Sequence, residues 1–298
     1  MRRDKGILKG SSACTRPVFF GCLLLSLLLP AVLVADVMEF RKRLYQLEKS
    51  YSVADVKTEV EFGRRLAGVI LTRFPLHPSE KLQKYVSNIG RGISALVGRP
   101  ELNYHFAVLD SELVNSFSTP GGYVFISLGA LRLMDNEAQL AGVIAHELSH
   151  IDQRLMVEKL RIRGIAEAIK AAGVAIGLGN EKKLRFYQWT EKSIAILFKD
   201  GRPSEGVMKA DEDAYHTLIQ LRYDWKSYRN HLEKAVSNRS ADSESIAEEA
   251  KSLMKMFTGT ALSLELRLES LDRTAEAEGL KDYQGKTRQK RFKAYAEL

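Results

Sequence analysis

Between Asn136 and Leu155 the chain repeats apolar residues at helical spacing: Leu140, Val143, Ile144, Leu148, Ile151 and Leu155. Asn136, followed three residues later by Gln139, resembles a capping box and predicts where this helix starts. Into the middle of that stripe the sequence sets His146-Glu147-Leu148-Ser149-His150. Residues four apart on a helix share a face, so both imidazoles project the same way. Two neutral ring nitrogens at that spacing suit a single zinc ion. Glu147 is turned away from the two histidines, yet near enough to take a proton from a water between them. Zinc lowers the pKa of such a water and stabilises a tetrahedral oxyanion, and a neighbouring carboxylate completes the base.

Elsewhere the pattern is mostly helical. Residues from about 37 to 72 recur at helical spacing, ending before Pro75 and Pro78. A second amphipathic helix places Leu82, Tyr85, Val86, Ile89, Ile93 and Leu96 on one face, and Gly98 and Pro100 stop it. The period then becomes two: Tyr104, Phe106 and Val108 alternate with their neighbours and predict a strand ending at Asp110. Pro120-Gly121-Gly122 is a turn signal, Tyr123 to Ser127 reads as a second strand, and a short helix is expected around Leu128 to Met134. Lys170 to Gly179 is apolar and glycine-rich but too short to span a bilayer. Ser237 to Ser245 reads as a polar linker, and the basic tail from Lys281 to Lys293 as a solvated face. The expected class is α+β, mainly α.

The first 35 residues read as an export signal. Arg2, Arg3, Lys5, Lys9 and Arg16 precede an apolar stretch from Pro17 to Val34, and Leu33-Val34-Ala35 offers a small-residue cleavage site. The alternative is an uncleaved membrane anchor, since the stretch is near the minimum spanning length. Both cysteines, Cys14 and Cys22, fall in this segment, so the mature chain has no thiol for a disulfide, a ligand or a nucleophile. The formal charge of the whole chain is +8. Removing the segment leaves 40 basic against 36 acidic residues, a balance that does not argue for nucleic acid. The expected organisation is 1–35 signal or anchor, 36–98 N-terminal helical region, 99–236 core, and 237–298 C-terminal helical region with basic tail. The expected location is the periplasm or cell envelope, with membrane association if the N-terminal segment is retained.

The surroundings of the histidine helix then become familiar. The run from Asn115 through Pro120-Gly121-Gly122 to Ile126, then Leu128 to Leu131, then Asn136 to His150, closely resembles a family of zinc metallopeptidases. That family (peptidase family M forty-eight) includes HtpX, BepA and the CaaX prenyl proteases. The resemblance runs from about Glu59 to Asp224. It implies a gluzincin-type core, with an active-site helix, a small sheet beside it and a third zinc ligand from a later helix. His146 and His150 would bind Zn2+ and Glu147 would act as general base. Tyr123, Val124 and Phe125 would form the cleft edge on which an extended polypeptide substrate pairs by β-augmentation.

The sequence departs from the family in its carboxy-terminal half. The family supplies a ligand Glu in the pattern Glu-x-x-Ala-Asp, followed later by Gly-Tyr-Asp. Here Ala210-Asp211 and Arg222-Tyr223-Asp224 fit, and that register puts Val207 where the ligand belongs. Glu205 and Asp211 are the candidate substitutes, Asp211 also resembling a partner that orients a ligand histidine. His216 is near enough in sequence to be considered, although a surface or partly buried role suits it better. The family's Thr-His-Pro element is replaced by Thr260-Ala261-Leu262 ahead of Arg267, which is a candidate for oxyanion support or for a simple ion pair. Two functions follow as expectations. One is a zinc endopeptidase acting on envelope polypeptides. The alternative is a peptidase-like protein that binds polypeptides or assembly partners without cleaving them.

Overall fold

The computed structural model describes residues 53–159, 188, 204–242 and 264–296, which fall within one unit running from Val53 onward. The proposed signal, the apolar Lys170–Gly179 stretch and Thr260-Ala261-Leu262 lie outside the described residues. Among the described residues, no helix is long and apolar enough to cross a membrane.

Two helices come first, α1 (Val53–Arg73) and α2 (Glu80–Val97), separated by the Pro75–Pro78 stretch as expected. Ser79 caps α2 through its side chain, which accepts from the Leu82 amide. Three short strands follow: β1 (His105–Leu109), β2 (Ser116–Thr119) and β3 (Tyr123–Ser127). The sheet order is β1-β3-β2, with β1 parallel and β2 antiparallel to β3. The short α3 (Leu128–Arg132) leads into α4 (Glu137–Asp152), and α5 (Leu155–Lys159) follows. Later come α6 (Ser204–Gln220), α7 (Trp225–Asp242), α8 (Leu264–Ala277) and α9 (Gln289–Tyr295). The architecture is α+β and mainly α.

Helix α4 is the axis of the core. Every residue on it is buried except His146, which is partly covered, and Asp152. It packs against α6 and α7 on one side, α2 on another, and β2 along its length. The apolar stripe read from the sequence therefore understates it: this helix is enclosed all round, as a helix apolar on most faces must be. Asn136 accepts from the Gln139 amide at 3.1 Å, the forward half of a capping box. The return half goes one residue further back, with Gln139 Oε1 accepting from the Asp135 amide at 2.6 Å.

The start of α4 is anchored by charge. Glu137 is fully buried beneath Tyr85, whose hydroxyl donates to it at 2.8 Å, and Tyr223, at 2.5 Å. Arg291 of α9 closes on both carboxylate oxygens. The basic tail thus reaches the buried Glu137 with an arginine that stays half exposed at the surface, while the neighbouring Phe292 is buried. A carboxylate at the first turn of a helix also meets the positive end of the backbone dipole.

Two sequence expectations are corrected here. Helix α7 continues through Asp242, so the first six of the nine residues read as a linker are helical. Strand β3 is hydrogen-bonded on both sides and occupies the centre of the sheet, so Tyr123, Val124 and Phe125 do not form a cleft edge. Among the described residues, the outermost strand nearest α4 is β2, a four-residue strand that the period-two reading did not detect.

Candidate metal and hydrolytic site

The site is built where β2, α4, α6 and α8 meet. His146 and His150 stand one turn apart on α4, with their Nε2 atoms 3.0 Å from each other and their rings perpendicular. Two bare lone pairs at that distance repel, so a shared proton or a cation between them is what the geometry accommodates.

The far side of the His146 ring decides which nitrogen is free. Its Nδ1 lies 2.8 Å from Asp211 Oδ1 and 3.0 Å from the Tyr228 hydroxyl. The Tyr228 hydroxyl donates to Asp211 at 2.7 Å, and Arg267 grips the same carboxylate with Nε and Nη2, both at 2.7 Å. Burial alone would raise the Asp211 carboxyl, but the Arg267 guanidinium, helped by His146, holds it well below the usual range. Burial opposes the charge on Arg267, and Asp211 outweighs it in turn, keeping the guanidinium above its ordinary value. An ionised carboxylate against Nδ1 makes that nitrogen the proton donor and leaves Nε2 as a donor of electrons, the form a metal ligand requires.

Tyr228 reaches the ring because α4 is narrow at that point. Gly142 lies one turn before His146, and a Cβ there would come within 2.5 Å of the Tyr228 ring. The phenol hydroxyl is pushed well above its ordinary pKa by burial and by Asp211, so it stays protonated and donating.

Glu147 is 2% exposed and faces the sheet. Its Oε1 accepts from Ser116 at 3.0 Å and its Oε2 from Ser118 at 3.0 Å. Two residues apart on β2, the serines share one face of the strand. Ser149, on the other side of α4, donates to Asp213 at 2.6 Å, and Gln153 donates to the Gly206 carbonyl at 3.2 Å, fastening α4 to the first turns of α6.

The expected residues divide clearly. His146, Glu147, His150 and Asp211 are brought together. Asp211 sits on the Nδ1 side of His146, away from the point where the two Nε2 atoms converge. Arg267 is held by Asp211 on that same far side, in the ion pair that was the other role expected of it. Glu205 lies in the first turn of α6, with its side chain outside the described residues. Val207 is partly buried on the helix that carries Asp211, four residues earlier. His216 bonds Glu278 at 2.8 Å on the exposed side of α6, which matches the surface role favoured for it. Among the described residues, no three His, Cys, Asp or Glu side chains form a group able to hold a metal ion. The donor chemistry present therefore fits zinc as a pair of imidazoles and leaves the third protein ligand to be supplied.

Ser116, Ser118, Tyr228 and Gly142 were not anticipated. The alternation Ser116-Phe117-Ser118 is a period-two signal for the first two. Nothing local marks Tyr228, whose role depends on a helix 82 positions away from His146.

Comparison with known proteins bears directly on this arrangement. The family model described as Peptidase family M48 matches residues 80–224. The chain is 29% identical over 103 residues to the beta-barrel assembly-enhancing protease of Escherichia coli, covering 35% of this chain and 21% of that protein. It is 29% identical over 147 residues to the mitochondrial metalloendopeptidase OMA1 of Schizosaccharomyces pombe, covering 48% of this chain and 39% of the relative. With a protease HtpX homolog of Dictyoglomus thermophilum it shares 32% identity over 114 residues, 37% of this chain and 35% of that protein. The chain thus aligns with between 21% and 39% of the length of these relatives. The matched stretch holds α2, the whole sheet, the histidine helix and Asp211, and over these elements the chain is similar to peptidase family M48.

Proposed function

We propose that the chain is a zinc-dependent endopeptidase of the cell envelope, with His146 and His150 as two of the metal donors and Glu147 as the general base. The observation that carries this reading is the convergence of the two Nε2 atoms at 3.0 Å on the helix that also bears the buried Glu147. When bound, zinc supplies Lewis-acid polarisation of a scissile carbonyl and a water of lowered pKa. Asp211, Tyr228 and Arg267 hold the His146 ring in the orientation and tautomer that donation requires. Glu147 takes the proton of the attacking water and passes it to the leaving amine nitrogen. Among the described residues, β2 is the outermost strand beside this helix, and an extended peptide substrate would lie near it rather than along the central β3. Glu205, in the first turn of α6, is the nearest acidic residue in sequence to Val207 and the candidate for the missing donor. Export by the N-terminal segment, cleaved or retained as an anchor, places the enzyme among envelope polypeptides.

A second reading rests on Val207. A chain that lacks one of three protein ligands binds zinc weakly, since donor number and geometry set affinity. It would then bind polypeptides without cutting them.

Zinc analysis of the purified chain, alongside cleavage of an unfolded polypeptide by the native chain and by Glu147→Gln, separates the two. The first reading expects about one zinc per chain in both, with cleavage lower by a factor of roughly 10² to 10⁴ in the variant. No bound zinc and equal, negligible cleavage by both proteins would leave the binding reading standing.

A further inference from the structure

Strand β2 is short, but both of its ends are fastened. At its start, the Asn115 amide donates to Ser127 Oγ at 3.0 Å, and the Asn115 carbonyl accepts from the Ser127 amide at 3.0 Å. At its far end the Pro120-Gly121-Gly122 turn uses positive φ at both glycines, and the Gly121 amide donates to the buried Glu59 at 3.2 Å. Glu59 is locked to Arg99 by two bonds of 2.8 and 2.9 Å, with both side chains sealed from solvent. Helix α1 closes over this turn so tightly that a Cβ on Gly63 would lie 1.8 Å from the Pro120 carbonyl oxygen. Between these anchors, Phe117 points away from α4 and stacks on Phe125 at 5.2 Å. The register is thereby fixed, because a one-residue slip would turn Phe117 toward Glu147 and both serines away.

We propose that Ser116 and Ser118 are positioning residues that fasten the Glu147 carboxylate to the sheet edge, one hydroxyl to each oxygen, so that the base and the edge strand move as one rigid unit. The proposal rests on the hydrolytic reading for its consequence, and on geometry alone for the attachment itself. A general base is effective only within hydrogen-bond reach of the proton it takes. Both oxygens of Glu147 are held at 3.0 Å by a strand that cannot slip, so the carboxylate is set before substrate arrives.

Kinetics and unfolding of Ser116→Ala, Ser118→Ala, the double variant and the two Ser→Thr variants test this in the full chain. Each alanine is expected to lower kcat about tenfold and the pair about a hundredfold, as loss of hydrogen bonds to a charged group would do, with KM within about twofold. Threonine, which keeps the hydroxyl and suits a strand, should restore kcat. Unchanged kcat, or a rise in KM with kcat preserved, overturns the proposal. The attachment is also measured without catalysis, by urea unfolding. Serine-to-alanine changes should lower the unfolding midpoint in the native background and have little effect in the Glu147→Ala background. Equal midpoint shifts in both backgrounds overturn the proposal. A native chain that neither holds zinc nor cleaves would sink the proposed function, while the unfolding comparison would still decide the attachment.

Discussion

The two halves of the site are built to different standards of completeness. On the amino-terminal side, α4 and β2 present two imidazoles, a carboxylate and two hydroxyls, each within hydrogen-bonding distance of its neighbour. On the carboxy-terminal side, α6 and α8 present Asp211 and Arg267 in a closed ion pair, and Val207 one turn before Asp211. The Asp211–Arg267 pair is thus present where the expected donor is not. The physical reason lies in what each residue does for the fold. Asp211 and Arg267 neutralise one another, so removing either leaves an unpaired charge, whereas Val207 fills space without needing a partner.

That contrast can be broken most forcefully at Asp211. Asp211→Ala strands the Arg267 guanidinium and frees the His146 ring, and we expect a loss of roughly 3–5 kcal/mol in urea unfolding. A loss below about 1 kcal/mol would show that the pair is incidental to the fold.

Val207→Glu addresses the other side. If the carboxy-terminal half lacks only its donor, zinc affinity measured by competitive chelation should rise on the order of a hundredfold. Unchanged affinity would mean that a group outside the described residues already fills that position.

Gly142→Ala probes the seam between the halves. The added methyl would press into the Tyr228 ring, and overpacking of this kind typically costs about 1–3 kcal/mol. The diagnostic result is a drop in zinc affinity together with stability, since Tyr228 reaches both His146 and Asp211. Lowered stability with full zinc affinity would uncouple Tyr228 from the metal position.

The smallest effect concerns acid sensitivity, and it lies outside both halves. Burial alone would raise Glu137, but hydrogen bonds from Arg291, Tyr223 and Tyr85 overcome it and bring its carboxyl below the ordinary 4.5. A carboxyl lower in the folded state stabilises the fold above pH 4.5, and that contribution is lost as pH falls through the folded value. Unfolding midpoints followed from pH 6 down to pH 3 should therefore fall more steeply for the native chain than for Glu137→Gln. Parallel profiles would assign the acid sensitivity to other carboxylates.

Much of this was legible in the chain. The start of α4, the spacing of His146 and His150, the two helices around Pro75 and Pro78, and β1 and β3 all follow from local periodicity and capping chemistry. Strand β2 was not legible, because four residues with alternating serines make too weak a signal alone and become a strand only by pairing with β3. The place of β3 at the sheet centre was hidden for a related reason. Its partner β1 lies parallel to it, a pairing that needs β2 and its connections in between and leaves no turn signature.

The sequence by itself determined which residues are chemically able to act. His146, Glu147 and His150 occupy one helix, and a helix fixes the relative direction of side chains within a turn or two without help from the rest of the fold. Only the tertiary structure decided how those groups are held. Asp211, Tyr228 and Arg267 come to His146 from 65, 82 and 121 positions away, and Ser116 and Ser118 reach Glu147 from a strand 31 and 29 positions back. Contacts at such separations depend on packing among several elements at once, and no local pattern encodes that packing.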